Sequence, residues 1–249
     1  MYQTLKAETS LMPQSNTERS LASRILYEDN HLLVVNKLPS EIVQGDKTGD
    51  RTLADDVKAY IKEKYDKPGE VFLGTVHRLD RPVSGIVVFA RTSKALARMN
   101  ELFRSRDIAK TYWAVSAQKP PADADTLIHY LIKNEEKNKS RAYLHEIKNS
   151  LRAELNYRLL ASIERYHLLE VELMTGRHHQ IRVQLAAIGC NIKGDLKYGA
   201  PRSNADASIH LHARRIQFLH PVKNTLLNLA APPPDDAVWN AFLHLLSSL

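Results

Sequence analysis

Apolar positions along this chain recur with two periods, two and three to four residues, and the alternation between them lays out the elements. Ile25 to Tyr27 and Leu32 to Asn36 flank Glu28-Asp29-Asn30, which predicts a hairpin. Lys37-Leu38-Pro39-Ser40 carries the second strand into a loop. Thr52, with Asp55 three residues later, caps a helix whose Leu53, Val57, Tyr60, Ile61 and Lys64 follow helical spacing and which ends before Pro68-Gly69. Ile86 to Ala90 is an unbroken apolar run and reads as a buried strand. Ser93 then caps a helix with Leu96, Met99, Leu102 and Phe103 on one face and Lys94, Arg98 and Arg104 on the other.

Ile108 to Gln118 is strand-like, with Lys110, Tyr112 and Ala114 on one side and Thr111, Trp113 and Val115 on the other, so one of the two aromatics faces a cleft. Residues 119–150 form a lysine-rich excursion that reads as a peripheral hairpin, either a contact arm or a solvated loop. Arg152 to Ala161 and Tyr166 to Met174 predict another hairpin across Ser162 to Arg165. A helix from about His178 to Ile188 buries Ile181, Leu185 and Ile188 and ends at Gly189. Ser208 to Leu219 reads as a strand with His210, His212, Arg214, Ile216 and Phe218 on one face. Asp235 caps a final helix to Leu249 that packs Val238, Phe242, Leu245 and Leu249. Hairpins interspersed with helices predict an α+β fold around a mixed, largely antiparallel sheet with flanking helices. Residues 1–21 are polar and aperiodic and read as a flexible lead-in, leaving 22–249 as one domain.

Composition narrows the classes. The 249 residues are 43% hydrophobic, ordinary for a folded core, and 35 basic residues against 28 acidic ones give +7, which suits a polyanionic partner. No apolar run approaches the roughly 18 residues of a membrane span, so a cytoplasmic protein without a membrane partner is expected. A lone Cys190 among apolar neighbours excludes an internal disulfide and a cysteine metal cage, and reads as packing. The 11 histidines lack the spacing of catalytic zinc, so no metal is expected, and no phosphate loop, dinucleotide fingerprint or Gly-x-Ser-x-Gly elbow is present.

Two stretches remain. In Gly74 to Arg91, Asp80 has His77, Arg78 and Arg81 within three positions, and neighbouring cations favour a carboxylate that can act as nucleophile or base, or can simply close a local ion pair in a surface loop. Arg177, His178, His179 and Arg182 cluster at a helix start, where cations oppose the helix dipole, so an anion is expected there: a protein carboxylate, a phosphate or both.

His77-Arg78-Leu79-Asp80-Arg81-Pro82-Val83-Ser84-Gly85 resembles the His-Arg-Leu-Asp-x-x-Thr-Ser-Gly signature of the RluA family of RNA pseudouridine synthases, and Gly176-Arg177-His178-His179-Gln180-Ile181-Arg182 resembles its Gly-Arg-Thr-His-Gln-Ile-Arg motif. Lys110-Thr111-Tyr112, Gly194-Asp195-Leu196-Lys197-Tyr198-Gly199 and Leu211-His212-Ala213 with Phe218-Leu219-His220-Pro221 add weaker matches in the same order, so the resemblance spans roughly residues 24–232.

The resemblance implies a pseudouridine synthase fold with a central catalytic cleft, and a reaction needing neither metal nor organic cofactor. The implied partner is structured RNA, ribosomal or transfer, bound by a monomer. Asp80 would be the catalytic aspartate, Tyr112 would stack on the flipped base and could take part in proton removal at C5, and Arg182 would pair with Asp80. Arg78 would enter the space the base leaves, since unstacking it costs a few kcal/mol; His77, Arg177, His179 and Gln180 would line the substrate site. Asp195 and Tyr198 read as a structural turn. Val83 and His178 each stand where the family has threonine, and Lys37-Leu38-Pro39-Ser40 departs from its Lys-Pro-x-Gly loop. A family S4-like domain is not expected ahead of the first strand. The rivals are a non-catalytic RNA-binding or ribosome-assembly protein of the same fold, and a nucleoside hydrolase.

Overall fold

The structure, a computed structural model of the chain, describes residues 20–45 and 49–248. Most of the expected lead-in lies outside the described residues; its last residue, Leu21, opens a 3-10 turn, Leu21–Arg24. β1 (Ile25–Glu28) and β2 (Leu32–Lys37) form the first hairpin. Asp29 closes it, its Oδ1 accepting from the His31 and Leu32 N–H groups. α1 (Leu53–Lys64) starts on a capping box in which Thr52 and Asp55 satisfy each other's backbone N–H groups. β3 (Gly74–Thr75) and β4 (Ser84–Ala90) come next, then α2 (Ser93–Ser105), capped one residue earlier than expected because the Thr92 hydroxyl reaches the Ala95 N–H.

β5 (Ala109–Ser116) precedes the hairpin β6 (Ala124–Asn134) and β7 (Lys139–Tyr143), which occupies the lysine-rich excursion. β8 (Leu151–Ile163) and β9 (Tyr166–Leu173) pair as the alternation predicts. α3 (Gln180–Ala187), β10 (Leu211–Leu219), β11 (Leu226–Ala230) and α4 (Ala237–Ser247) complete the chain. Asp236, not Asp235, caps α4: its Oδ1 accepts from the Val238 and Trp239 N–H groups. Trp239 and Phe242 supply the buried stripe of α4, with Val238, Leu243 and Leu246 beside them; Leu249 lies outside the described residues.

All eleven strands join one sheet in the order β1-β2-β4-β10-β5-β9-β8-β6-β7, with β3 on β4 and β11 on β10. Only the β4–β10 pair is parallel among the described strands, so the α+β, largely antiparallel reading holds. Both faces are covered. On β2 and β4, Leu32, Val34, Ile86 and Val88 meet α2 residues Ala95 and Met99, while Leu33, Val35, Val87 and Phe89 meet α1 residues Leu53, Val57 and Ile61. On β5, Ala114 and partly buried Tyr112 pack with Ile181 and Leu185 of α3, whereas Trp113 and Val115 pack with Trp239 and Phe242 of α4.

The single-face expectation for β10 fails. The register shifts between Ala213 and Arg215, so that His212 pairs with Trp113 but Ile216 pairs with Lys110. Lys110 and Trp113 point to opposite sides of β5, and a bulge at Arg214 has therefore flipped the strand between His212 and Ile216. Cys190 is fully buried in the core under α3, and burial pushes its thiol pKa up, in keeping with packing.

Candidate active site

The Asp80 loop is positioned by the start of β4. Gly85 sits at φ 112° where β4 meets β10, and a Cβ there would collide with the Ala213 backbone. Pairing Ser84 with His212 and Gly85 with Ala213 brings the loop to the mouth of the sheet, beside Tyr112, which pairs with Ala213 from the other side. From beneath, buried Lys37 donates to the carbonyls of Val83 (2.6 Å), Leu38 (2.9 Å) and Arg81 (3.1 Å). Burial lowers its pKa to about 7. Ser40, at φ 71° where the family loop has glycine, donates its N–H to Arg81 O at 2.9 Å.

The opposing loop enters α3 through His179, held at φ 52° as the residue before the helix. Arg182, one turn in, is nearly enclosed and forks between two carboxylates: Nε and Nη2 donate to Asp195 Oδ2 and Oδ1 at 2.7 and 2.8 Å, and Nη1 donates to Asp80 Oδ2 at 2.9 Å. These pairs raise the Arg182 pKa against the opposing effect of burial. The anion expected at this helix start is thus two protein carboxylates. Asp80 Oδ1 has no hydrogen-bond partner among the described residues, and the side chain is 33% exposed.

His179 completes the arrangement. Tyr198 Oη accepts from the Ser140 N–H at 2.8 Å and lies 2.9 Å from His179 Nδ1. With Oη donating to Nδ1, the imidazole proton resides on Nε2, which faces Asp80 Oδ2 at 3.4 Å. Burial lowers the His179 pKa to about 3, so this contact is a neutral N–H against a carboxylate, not an ion pair. His178 stacks on His179 at 3.8 Å and is hydrogen-bonded on Nδ1 by Ser140 and on Nε2 by Asn138, tying the β6–β7 hairpin to this loop.

A cavity of about 390 Å³ opens between the loops. All eight residues singled out from the sequence line it: His77, Arg78, Asp80, Tyr112, Arg177, His179, Gln180 and Arg182. Their polar atoms are not equally available. His77 Nε2 accepts the Val88 N–H at 3.1 Å and its ring stacks on Phe103, and burial lowers its pKa to about 4. Gln180 is committed to Thr175, the Arg177 N–H and Glu154 O, so it braces the turn instead of facing the cavity's contents. Arg177 donates Nε to Arg152 O at 3.1 Å. Burial and the neighbouring Asp80 raise the Tyr112 pKa, so its hydroxyl stays protonated. Arg78 is exposed, with no acceptor among the described residues.

The family model for RNA pseudouridylate synthase matches residues 31–187. The chain belongs to the RluA family of RNA pseudouridine synthases. It is similar to the ribosomal large subunit pseudouridine synthase D of Zymomonas mobilis (29% identity, covering 90% of this chain and 73% of that protein) and to the synthase C of Vibrio cholerae (32%, covering 84% and 65%). An uncharacterized RNA pseudouridine synthase of Bacillus subtilis, YhcT, is 33% identical over 85% of this chain and 69% of its own. Among solved structures, human RNA pseudouridylate synthase domain containing 4 superposes with a TM-score of 0.74 at 27% identity, covering 91% and 94% of the two chains. The protein is accordingly an isomerase acting on RNA.

Within this RNA pseudouridine synthase the turn reading of Asp195 and Tyr198 is incomplete. Asp195, 2% exposed, holds the Arg182 fork, and Tyr198 holds His179 while its ring lies under the Arg182 guanidinium at 5.1 Å. The signal was present in Gly194-Asp195 and Tyr198-Gly199, but sequence spacing did not say what a turn thirteen residues beyond Arg182 would face. Lys37, Phe103 and Lys110 are the other site residues that spacing alone passed over. No helix among the described residues is long and apolar enough to cross a membrane.

Proposed function

We propose that this isomerase converts a uridine of large-subunit ribosomal RNA to pseudouridine in the cavity between the two loops, with Asp80 as nucleophile. One observation carries the assignment: Arg182, anchored by Asp195, grips Oδ2 of Asp80 and leaves Oδ1 without a hydrogen-bond partner among the described residues, in a cavity that Tyr112 also lines. A carboxylate aimed by a guanidinium that cannot itself move is preorganised for attack. The base enters flipped from its stack, Tyr112 offers its face as a platform, and exposed Arg78 fills the vacated space. The N1–C1′ bond breaks, a C5–C1′ bond forms, and the C5 proton is lost as N1 gains one. No net oxidation or reduction occurs, and no cofactor is called for by the atom balance.

The ribosomal target rests on the relatives named as large-subunit synthases, and a monomer working in the cytoplasm belongs to the same reading. Mapping pseudouridines in total RNA from cells with and without the gene tests it: a site lost from large-subunit RNA is expected, and loss confined to transfer RNA would overturn it. Asp80→Asn should abolish pseudouridine formation while RNA affinity stays within a few-fold. Turnover in that variant would remove Asp80 from its role.

A further inference from the structure

His179 stands where a helix is usually capped, yet its side chain makes no capping hydrogen bond to α3. Its backbone sits at φ 52°, in the left-handed region that a residue other than glycine occupies at a cost. An imidazole held there, buried and lining the cavity, serves something other than the helix. Its contacts say what. Tyr198 Oη accepts the Ser140 N–H at 2.8 Å and keeps its own proton for His179 Nδ1, at 2.9 Å. His178 stacks on the ring at 3.8 Å and Tyr198 meets it edge-on at 5.6 Å, which packs the imidazole on two sides. Nε2, at the far end, faces Asp80 Oδ2 at 3.4 Å.

Arg182 Nη1 reaches that same oxygen at 2.9 Å. One donor fixes a carboxylate oxygen and leaves the group free to swing about it; a second donor from another residue removes that freedom. The charge of the second donor matters too. An imidazolium would set another cation on Asp80 and make it a weaker base and nucleophile. Burial prevents this, because it lowers the His179 pKa to about 3 and keeps the ring neutral. A neutral N–H orients the carboxylate without neutralising it. The 3.4 Å separation is long for such a bond, and contacts of this kind tighten when substrate fills the site.

We propose that His179 is a positioning residue for Asp80: its Nε2–H, aimed by Tyr198, joins Arg182 on Oδ2 and so fixes Oδ1 as the reacting oxygen. This rests on Asp80 being the nucleophile. His179 carries no proton to or from the substrate, and it acts on the nucleophile where the family resemblance implied a contact with RNA.

The test uses single-turnover assays on a transcript carrying the uridine located by pseudouridine mapping. Glutamine holds its amide N–H as far along the side chain as Nε2, whereas asparagine holds it only as far as Nδ1. His179→Asn should lower the rate at saturating RNA about tenfold without changing RNA affinity, and His179→Gln should recover it to within about threefold. The backbone asks for the reverse order, since asparagine tolerates φ 52° better than glutamine. Asparagine at least as fast as glutamine therefore overturns the proposal, and so does a loss confined to RNA affinity. Tyr198→Phe should slow the native enzyme and add nothing to His179→Asn; the same cost in both backgrounds overturns the role given to Tyr198. In the unmodified protein, nitrogen NMR of isotope-labelled histidine should show His179 neutral with its proton on Nε2 near neutral pH, and a proton on Nδ1 overturns the proposal without any variant. The acid limb of the rate should coincide in the native enzyme and His179→Gln; a limb that moves would make His179 a proton carrier instead. Failure of the catalytic reading would appear separately, as turnover by Asp80→Asn on the same transcript.

Discussion

The two loops that meet over the cavity are held by opposite means. The Asp80 loop is gathered by a single ammonium, Lys37, which donates to three backbone carbonyls and has no carboxylate within ion-pair distance among the described residues. The Arg182 loop is held by side chains of opposite charge, with Asp195 and Asp80 on one guanidinium. A backbone clamp fixes where a loop sits and leaves its side chains free. A carboxylate clamp fixes where a charged group points. Catalysis by Asp80 draws on both, since its main chain belongs to the first arrangement and its Oδ2 to the second.

Breaking the charged arrangement should have the largest effect. Asp195→Asn leaves Arg182 buried with one anion for two, and loss of about 3 kcal/mol in urea unfolding is expected from unbalancing a buried pair. Single-turnover rates should fall about a hundredfold, because Asp80 loses its aim. A variant with full activity would show that Asp195 merely fills the turn.

Lys37→Met tests the backbone clamp. Three carbonyls lose their donor, at about 1 to 3 kcal/mol for each left unsatisfied, partly offset because no charge is then buried. A net loss of about 2 kcal/mol and a fall in kcat with little change in RNA affinity should result. A change in KM alone would assign Lys37 to RNA binding.

A pH titration sharpens the comparison further, because the neutral histidines sit on both sides of it. Burial holds His77 near 4, His179 near 3 and His212 near 4, each below the ordinary 6.5. The unfolded chain therefore binds protons that the folded one refuses between pH 6.5 and about 4, so their contribution is present above 6.5 and is lost as pH falls through that window. Urea midpoints should drop steeply there, with unfolding taking up about three protons. A flat profile would mean that these rings are protonated in the fold.

The smallest effect belongs to the link between the β6–β7 hairpin and the Arg182 loop. Ser140→Ala removes the hydroxyl that meets His178 Nδ1 and its carbonyl at 2.9 and 2.8 Å, for which about 1 kcal/mol and a few-fold loss of rate are expected. Loss of RNA binding without loss of rate would instead mark the hairpin as a contact arm.

By itself the sequence determined the elements whose cause is local. The Thr52 and Asp55 box, the closure of β1 and β2 at Asp29, and the unbroken run of β4 each arise from residues within a few positions of one another. It also carried the ordered motifs that brought Asp80, Tyr112 and Arg182 to notice. Caps shifted by one residue, from Ser93 to Thr92 and from Asp235 to Asp236, because adjacent residues of both pairs can accept the same N–H groups. Only the tertiary structure decided the bulge at Arg214, which turns His212 and Ile216 to opposite faces, since strand register is set by the partner strand. It alone also decided that Asp195 and Asp80, more than a hundred residues apart in the chain, share one guanidinium. A buried charge requires an opposite one, but sequence spacing does not say which distant acid the fold will deliver.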